Sequence, residues 1–132
     1  MNYKELIDAA FLARKSAYAP YSNFLVGAAL LTKTGKIFTG CNIENSSYSL
    51  TICAERTAFF KAVSESQKDF VAIAIVGGKD GEIDICPPCG ACRQIMTEFC
   101  KDEFKIILAK SDDDWKEYSL NELFPLKFNL ER

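Results

Sequence analysis

Two short stretches hold the residues whose types and spacing could do chemistry. They are Cys53-Ala54-Glu55-Arg56 and, about thirty residues on, Cys86-Pro87-Pro88-Cys89-Gly90-Ala91-Cys92-Arg93-Gln94. Pro88 ends an extended segment and the residues after it read as a helix, so Cys89 and Cys92, three apart in a first turn, face the same way. A helix start carries unpaired N–H groups and a partial positive charge, which favour thiolate over thiol. Cys53 opens a second helical segment, Ala54 to about Glu65, and gains the same advantage. Three cysteines from two facing helix starts fill three corners of a zinc tetrahedron, and an open fourth corner marks a catalytic site. Glu55, two residues past the first ligand, is close enough to work on whatever fills that corner.

Zinc in an open site lowers the pKa of water to about 7. Three thiolates leave such a site with a net negative charge, which should make that water less acidic than neutral ligands would. Arg56 lies three residues after Cys53 on the same helix face, where it can hydrogen-bond a ligand sulfur and draw off charge. The chain has no histidine, so a Ser-His-Asp triad, a Cys-His pair and a histidine ligand are all excluded. A proton shuttle must be a carboxylate, a Tyr or a Lys, and Glu55 is the natural candidate. Duller readings stay open at this point. Cys89-x-x-Cys92 could be a redox pair, or Cys53, Cys86, Cys89 and Cys92 could close a structural zinc site with no room for water. Glu55 could be a solvated helix carboxylate, and Cys41 and Cys100 read as small hydrophobes or surface thiols.

The composition narrows the field. A chain of 132 residues suits one domain, 1–132, with a proper core, and 48% apolar with 26% charged residues is ordinary globular material. No apolar run is long enough to span a bilayer, and the N-terminus lacks a signal-peptide pattern. The expectation is a cytoplasmic protein without a membrane partner, whose six cysteines stay reduced and serve as ligands rather than disulfides. The net charge is −2, and Ser111–Arg132 carries six acids against three bases. A phosphate backbone needs clustered Lys and Arg, and there is no such patch, so a small, weakly charged substrate suits this chain better than nucleic acid.

The elements that must position the two stretches follow from periodicity. Residues 2–18 place Leu6, Ile7, Ala10, Phe11, Ala13, Ala17 and Tyr18 at helical spacing, with Lys4, Glu5, Asp8, Arg14 and Lys15 largely on the other side. Phe24–Thr32 and Ile37–Cys41 read as a hairpin, and Asn42–Ile52 as a loop. Phe70–Val76 and Phe104–Ala109 read as strands buried on both faces, with a loop at Gly77–Gly81 and a helix from about Cys89 to Cys100. Residues 116–118 suggest a short edge strand, and Ser119 a cap for a short helix through Phe124. Together these predict an α/β fold, a three-layer α/β/α sandwich around a mixed, about five-stranded sheet.

The same residues resemble a known family over nearly the whole chain. An acidic residue two after a first ligand, followed by Pro-Cys-x-x-Cys, is the pattern of zinc nucleobase deaminases, with Cys for His in some members. Ala19–Ala29 (APYSNFLVGAA), Gly40–Asn45 (GCNIEN), Cys53–Ala58 (CAERTA), Pro88–Gln94 (PCGACRQ) and Glu122–Phe128 (ELFPLKF) together resemble the small homotetrameric cytidine deaminases. The resemblance implies zinc, one per subunit, on Cys53, Cys89 and Cys92, and hydrolysis at C4 of cytidine or deoxycytidine with Glu55 as proton shuttle to N3 and the departing amine. It implies that Phe24 packs against the nucleoside, that Asn42 and Glu44 hold the ribose, and that Glu55 and the backbone near Ala54 read N3 and the amine. Phe128 and Tyr48 would reach a neighbouring subunit's site in a homotetramer. Asn42 and Glu44 alternate on an extended segment, so both can face a diol, and a carboxylate built to accept hydroxyls rejects ligands lacking them. Cys86 departs from the family pattern. A nucleic-acid deaminase would want a basic channel, and a deaminase of nucleoside antibiotics should lack the Asn42–Glu44 grip; another aminopyrimidine nucleoside and a non-catalytic zinc domain remain the alternatives.

Overall fold

The computed structural model describes residues 2–130. The apolar run after Pro20 forms β1 (Phe24–Thr32), which turns through Gly35 into β2 (Ile37–Cys41) as an antiparallel hairpin. β1 pairs on its other side with β3 (Phe70–Lys79), again antiparallel. β4 (Lys105–Ser111) lies parallel to β3, and β5 (Asp114–Ser119) closes the far edge antiparallel to β4. The order β2-β1-β3-β4-β5 thus contains one parallel pair, which needs a crossover. The crossover is α3 (Gly90–Phe99).

Three layers result, as the apolar patterning predicts. α1 (Lys4–Arg14) packs Leu6, Ile7 and Ala10 on a face made of small strand residues, among them Ala29, Ala72, Ala74 and Ala109. α2 (Ala54–Ser64) and α3 cover the opposite face, which presents larger residues such as Leu30, Ile73, Ile75 and Ile106. Phe59 of α2 anchors this layer, with its ring 5.1 Å from Phe70 of β3 and 6.3 Å from Phe99 of α3. The last element, α4 (Leu120–Leu123), starts at a capping box: Ser119 Oγ accepts from the Glu122 amide and Glu122 accepts from the Ser119 amide.

The structure corrects three sequence expectations. α1 stops at Arg14, because Tyr18 leaves the helix to pair with the Ile43 segment, donating its N–H to Asn42 O and accepting from the Glu44 amide. β3 runs on through Gly77 and Gly78 to Lys79, where a loop was expected. The glycines there admit a folded-back segment: Cys86 packs on Gly77 and Glu82 O lies where a Cβ of Gly78 would go. Arg14, read as part of the polar helix face, is half-buried and points along the sheet.

α2 approaches β2 closely enough that a Cβ on Gly40 would lie 2.3 Å from Ala54 O and 2.6 Å from Ala58 N. Gly90 faces open space. Gly40→Ala should therefore lower the unfolding free energy by about 1–3 kcal/mol through overpacking, whereas Gly90→Ala should leave it unchanged or slightly raised. Urea denaturation followed by far-UV circular dichroism distinguishes the two.

Candidate active and metal site

Cys53 and Cys89 occupy equivalent positions, each the residue capping the start of a helix, with extended backbone at φ −78°, ψ 156° and φ −70°, ψ 170°. Each carbonyl already accepts the first helical bond, from Thr57 N and Arg93 N respectively. Neither side chain caps its own helix, so both sulfurs are free to turn outward, where the helix N–H groups favour negative charge. Cys92 sits in the first turn of α3 and is buried.

The three sulfurs converge. Cys53 Sγ is 3.6 Å from Cys89 Sγ, Cys89 Sγ is 3.4 Å from Cys92 Sγ, and all three lie within 4.8 Å of one another. Tetrahedral zinc–sulfur bonds of about 2.3 Å place sulfurs roughly 3.8 Å apart, so the donor set fits zinc in both chemistry and spacing. Cys86 lines the same cleft but is not one of the three. Its sulfur rests against Gly77, 2.9 Å from where a Cβ there would be, and burial pushes its thiol up to about 12.

Charge is unevenly shared within the cluster. A hydrogen bond from Cys92, aided by Arg56, draws Cys53 down to about 5, while the same bond and burial hold the Cys92 proton. Arg56 Nη2 donates to Cys53 Sγ at 3.4 Å, and its buried Nε has no hydrogen-bond partner. Glu55, only 4% exposed, is raised to about 7, first by desolvation and further by the Cys53 thiolate. A dication among the sulfurs would draw it back toward the ordinary carboxylate range. A carboxyl in this window can both accept and release a proton near neutral pH.

These groups border a cleft of about 190 Å³ lined by Val26, Asn42, Thr51, Ile52, Cys53, Ala54, Glu55, Cys86, Pro87 and Cys89. A larger cleft, about 350 Å³, lies at the other end of the strands beside Lys33, Phe70 and Cys100. It holds none of the residues expected to do chemistry.

The structure brings most of the expected binding residues to this end of the fold, in unequal ways. Asn42 is buried in the cleft wall, accepting from Val26 N at 2.9 Å and donating to Phe24 O at 2.8 Å. Phe24 itself is half-buried against the core rather than in the lining. Glu44 grips the loop before β1: its carboxylate accepts from Tyr21 N at 3.0 Å, Ser22 N at 3.1 Å and the Ser22 hydroxyl, and the last of these lowers its pKa most. Tyr48 is 75% exposed, edge-on to Tyr21, and Phe128 is 66% exposed with its carbonyl held by Gln94 Nε2 at 2.9 Å. Neither lines the cleft of its own chain. Val26, Thr51, Ile52 and Pro87 complete the lining and went unread as site residues; the last three flank the cysteines in sequence, which was the available clue.

Comparison with known proteins agrees with this geometry. The family described as "Cytidine and deoxycytidylate deaminase zinc-binding region" matches residues 1–108. A cytidine deaminase of Halalkalibacterium halodurans is 50% identical over 131 residues, 99% of this chain and 97% of the relative. One of Sporosarcina psychrophila is 48% identical, over 99% of this chain and 94% of the relative. The crystal structure of the Burkholderia pseudomallei cytidine deaminase superposes with a TM-score of 0.88 at 48% identity, covering 97% of this chain and 100% of that one. Since the family match spans both cysteine-bearing helices and the likeness of fold spans the whole sheet, this chain belongs to the cytidine and deoxycytidylate deaminase zinc-binding family.

Proposed function

We propose that the protein deaminates free cytidine and deoxycytidine by hydrolysis, releasing ammonia and leaving uridine or deoxyuridine, with one zinc ion per chain on Cys53, Cys89 and Cys92. The observation that carries this reading is a buried carboxyl, Glu55, lining one small cleft with Cys53 and Cys89, whose sulfurs converge with that of buried Cys92. Zinc bound there supplies the Lewis acidity that makes water a nucleophile near neutral pH.

The chain's own residues do the rest. Glu55 takes a proton from the attacking water and delivers protons to N3 of the base and to the leaving amine. Ala54, at the wall beside it, offers backbone to the same edge of the base. Arg56, bonded to Cys53 Sγ, withdraws thiolate charge and so keeps the metal a stronger Lewis acid. Asn42 is held by two backbone bonds and retains one amide hydrogen and one lone pair for a ribose hydroxyl. Glu44 orders the Tyr21–Ser22 loop and stays ionised, so it can accept from the ribose when Ser22 yields. Phe24 packs at the edge of the nucleoside.

Tyr48 and Phe128 are exposed and do not line their own cleft, which supports a homotetramer in which they complete the site of a neighbouring chain. The two core layers on one sheet favour a single domain, and a cytoplasmic place in pyrimidine salvage follows from the deaminase reading alone. No helix among the described residues is long and apolar enough to cross a membrane.

Purified wild type should release ammonia from cytidine, and Glu55→Gln should keep its zinc while losing at least about a hundredfold in kcat. No release from zinc-loaded wild type on either nucleoside would sink the proposal. Metal analysis should find one zinc per chain in wild type and in Cys86→Ala, and little in Cys53→Ala, Cys89→Ala or Cys92→Ala. Sedimentation should give four chains per particle, with Phe128→Ala raising KM for cytidine while zinc content holds; a monomer of full activity would refute the shared site.

A further inference from the structure

Arg14 ends α1, yet it faces no carboxylate within ion-pair distance among the described residues. Its guanidinium binds main chain instead. Nε donates to Leu25 O at 2.8 Å, and Nη2 donates to Gly78 O at 2.9 Å, Lys79 O at 3.0 Å and Glu82 O at 2.8 Å. A planar fork of donors directed wholly at carbonyls fixes backbone geometry and cannot be replaced by a point charge.

Those four carbonyls belong to two pieces of chain that end in the cleft. Leu25 and Gly78 are partners in the β1–β3 ladder, so Arg14 caps its open end. Leu25 stands between Phe24 and Val26, whose backbone groups hold the Asn42 amide. On the other side, the strap 80–85 folds back over β3, with Glu82 N bonded to Lys79 O at 2.8 Å and Asp84 N to Gly77 O at 2.9 Å. That strap leads directly into Cys86, Pro87 and Cys89, the opposite wall. Arg14 touches neither wall's lining and is bonded to the root of both.

We propose that Arg14 is a positioning residue for the deamination: by tying Leu25 to the 78–82 segment it sets the separation of the Asn42 wall from the Cys86–Cys89 wall, and with it the fit of the nucleoside. This rests on the deaminase reading above. Because the zinc sulfurs are held by α2 and α3 rather than by the strap, losing the clamp loosens substrate binding and leaves the metal in place.

The test is steady-state kinetics on cytidine with zinc analysis and amide hydrogen exchange, for wild type, Arg14→Ala and Arg14→Lys. Arg14→Ala should raise KM roughly tenfold as the two walls of the cleft loosen, with kcat within about twofold of wild type and one zinc per chain. Arg14→Lys, which restores a cation but not the fork, should fall between the two. Exchange should quicken over residues 22–26 and 78–85 and stay unchanged in α2. An unchanged KM with only a lower melting temperature makes Arg14 structural and overturns the assignment, as does zinc loss in step with activity. If Arg14→Ala does not fold, Arg14→Lys decides alone, a wild-type KM overturning the proposal. A wild type inert toward cytidine overturns the deaminase reading itself, and this assignment with it; an active wild type matched by Arg14→Ala overturns only the assignment.

Discussion

Three sulfurs within 4.8 Å of one another, with a 4%-exposed carboxyl beside them, concentrate negative charge at one point, and the fold must offset it there. Two helix starts aim their N–H groups at that point, and Arg56 adds a guanidinium on Cys53. The hydrogen bond from Cys92, and after it Arg56, lowers the Cys53 pKa, while that bond and burial raise the pKa of Cys92. Zinc held there would need its cysteine ligands as thiolates and would release any protons they carry. Glu55 is buried beside this cluster, and desolvation before all else raises its pKa.

Holding two helix starts face to face demands a rigid plate behind them, and the sheet supplies it. α2 is pressed on β2 at Gly40, where any side chain would strike its first turn. α3 is the crossover of the single parallel pair, so its start follows from where β3 ends and the strap turns back. Side-chain bonds then fix the approach to α3: Arg93 Nε donates to Pro88 O at 2.8 Å and its other arm to Leu123 O, joining the zinc-site loop to the C-terminal turn. The cleft is thus built by loops, but each loop is tied to a helix or strand whose place the apolar core dictates.

Most of this was legible in the residues. β1 and β2 begin and end where their apolar runs do, Ser119 caps α4 through the box its sequence spells, and Cys53 and Cys89 stand at helix starts because nothing after them breaks helical spacing. What escaped was tertiary. Gly77-Gly78-Lys79 reads locally as a loop, yet the glycines lie in a strand because the segment after it packs directly on them. Arg14 reads as a solvated helix end, since nothing near it in sequence announces four carbonyls from residues 25 to 82. Glu44 was read as a ribose ligand, and its bonds to Tyr21 and Ser22 give it a structural role that spacing does not reveal. Tyr48 and Phe128 could be assigned only by resemblance, since neither lines the cleft of its own chain.

Cys86 lies on the cleft wall yet stands outside the three-sulfur cluster. It stands three residues before Cys89, the same interval that brings Cys89 and Cys92 together, but the backbone between differs. Gly90 and Ala91 lie in a helical turn, which sets residues three apart on one face. Pro87 and Pro88 hold the chain extended, because the residue before a proline is kept from helical geometry. The Cys86 sulfur is instead lodged against Gly77 on β3, where burial above all raises its pKa. Packed against the strand, Cys86 stands outside the three sulfurs that lie within 4.8 Å of one another. The double proline therefore keeps Cys86 off the helical turn that brings Cys89 and Cys92 together.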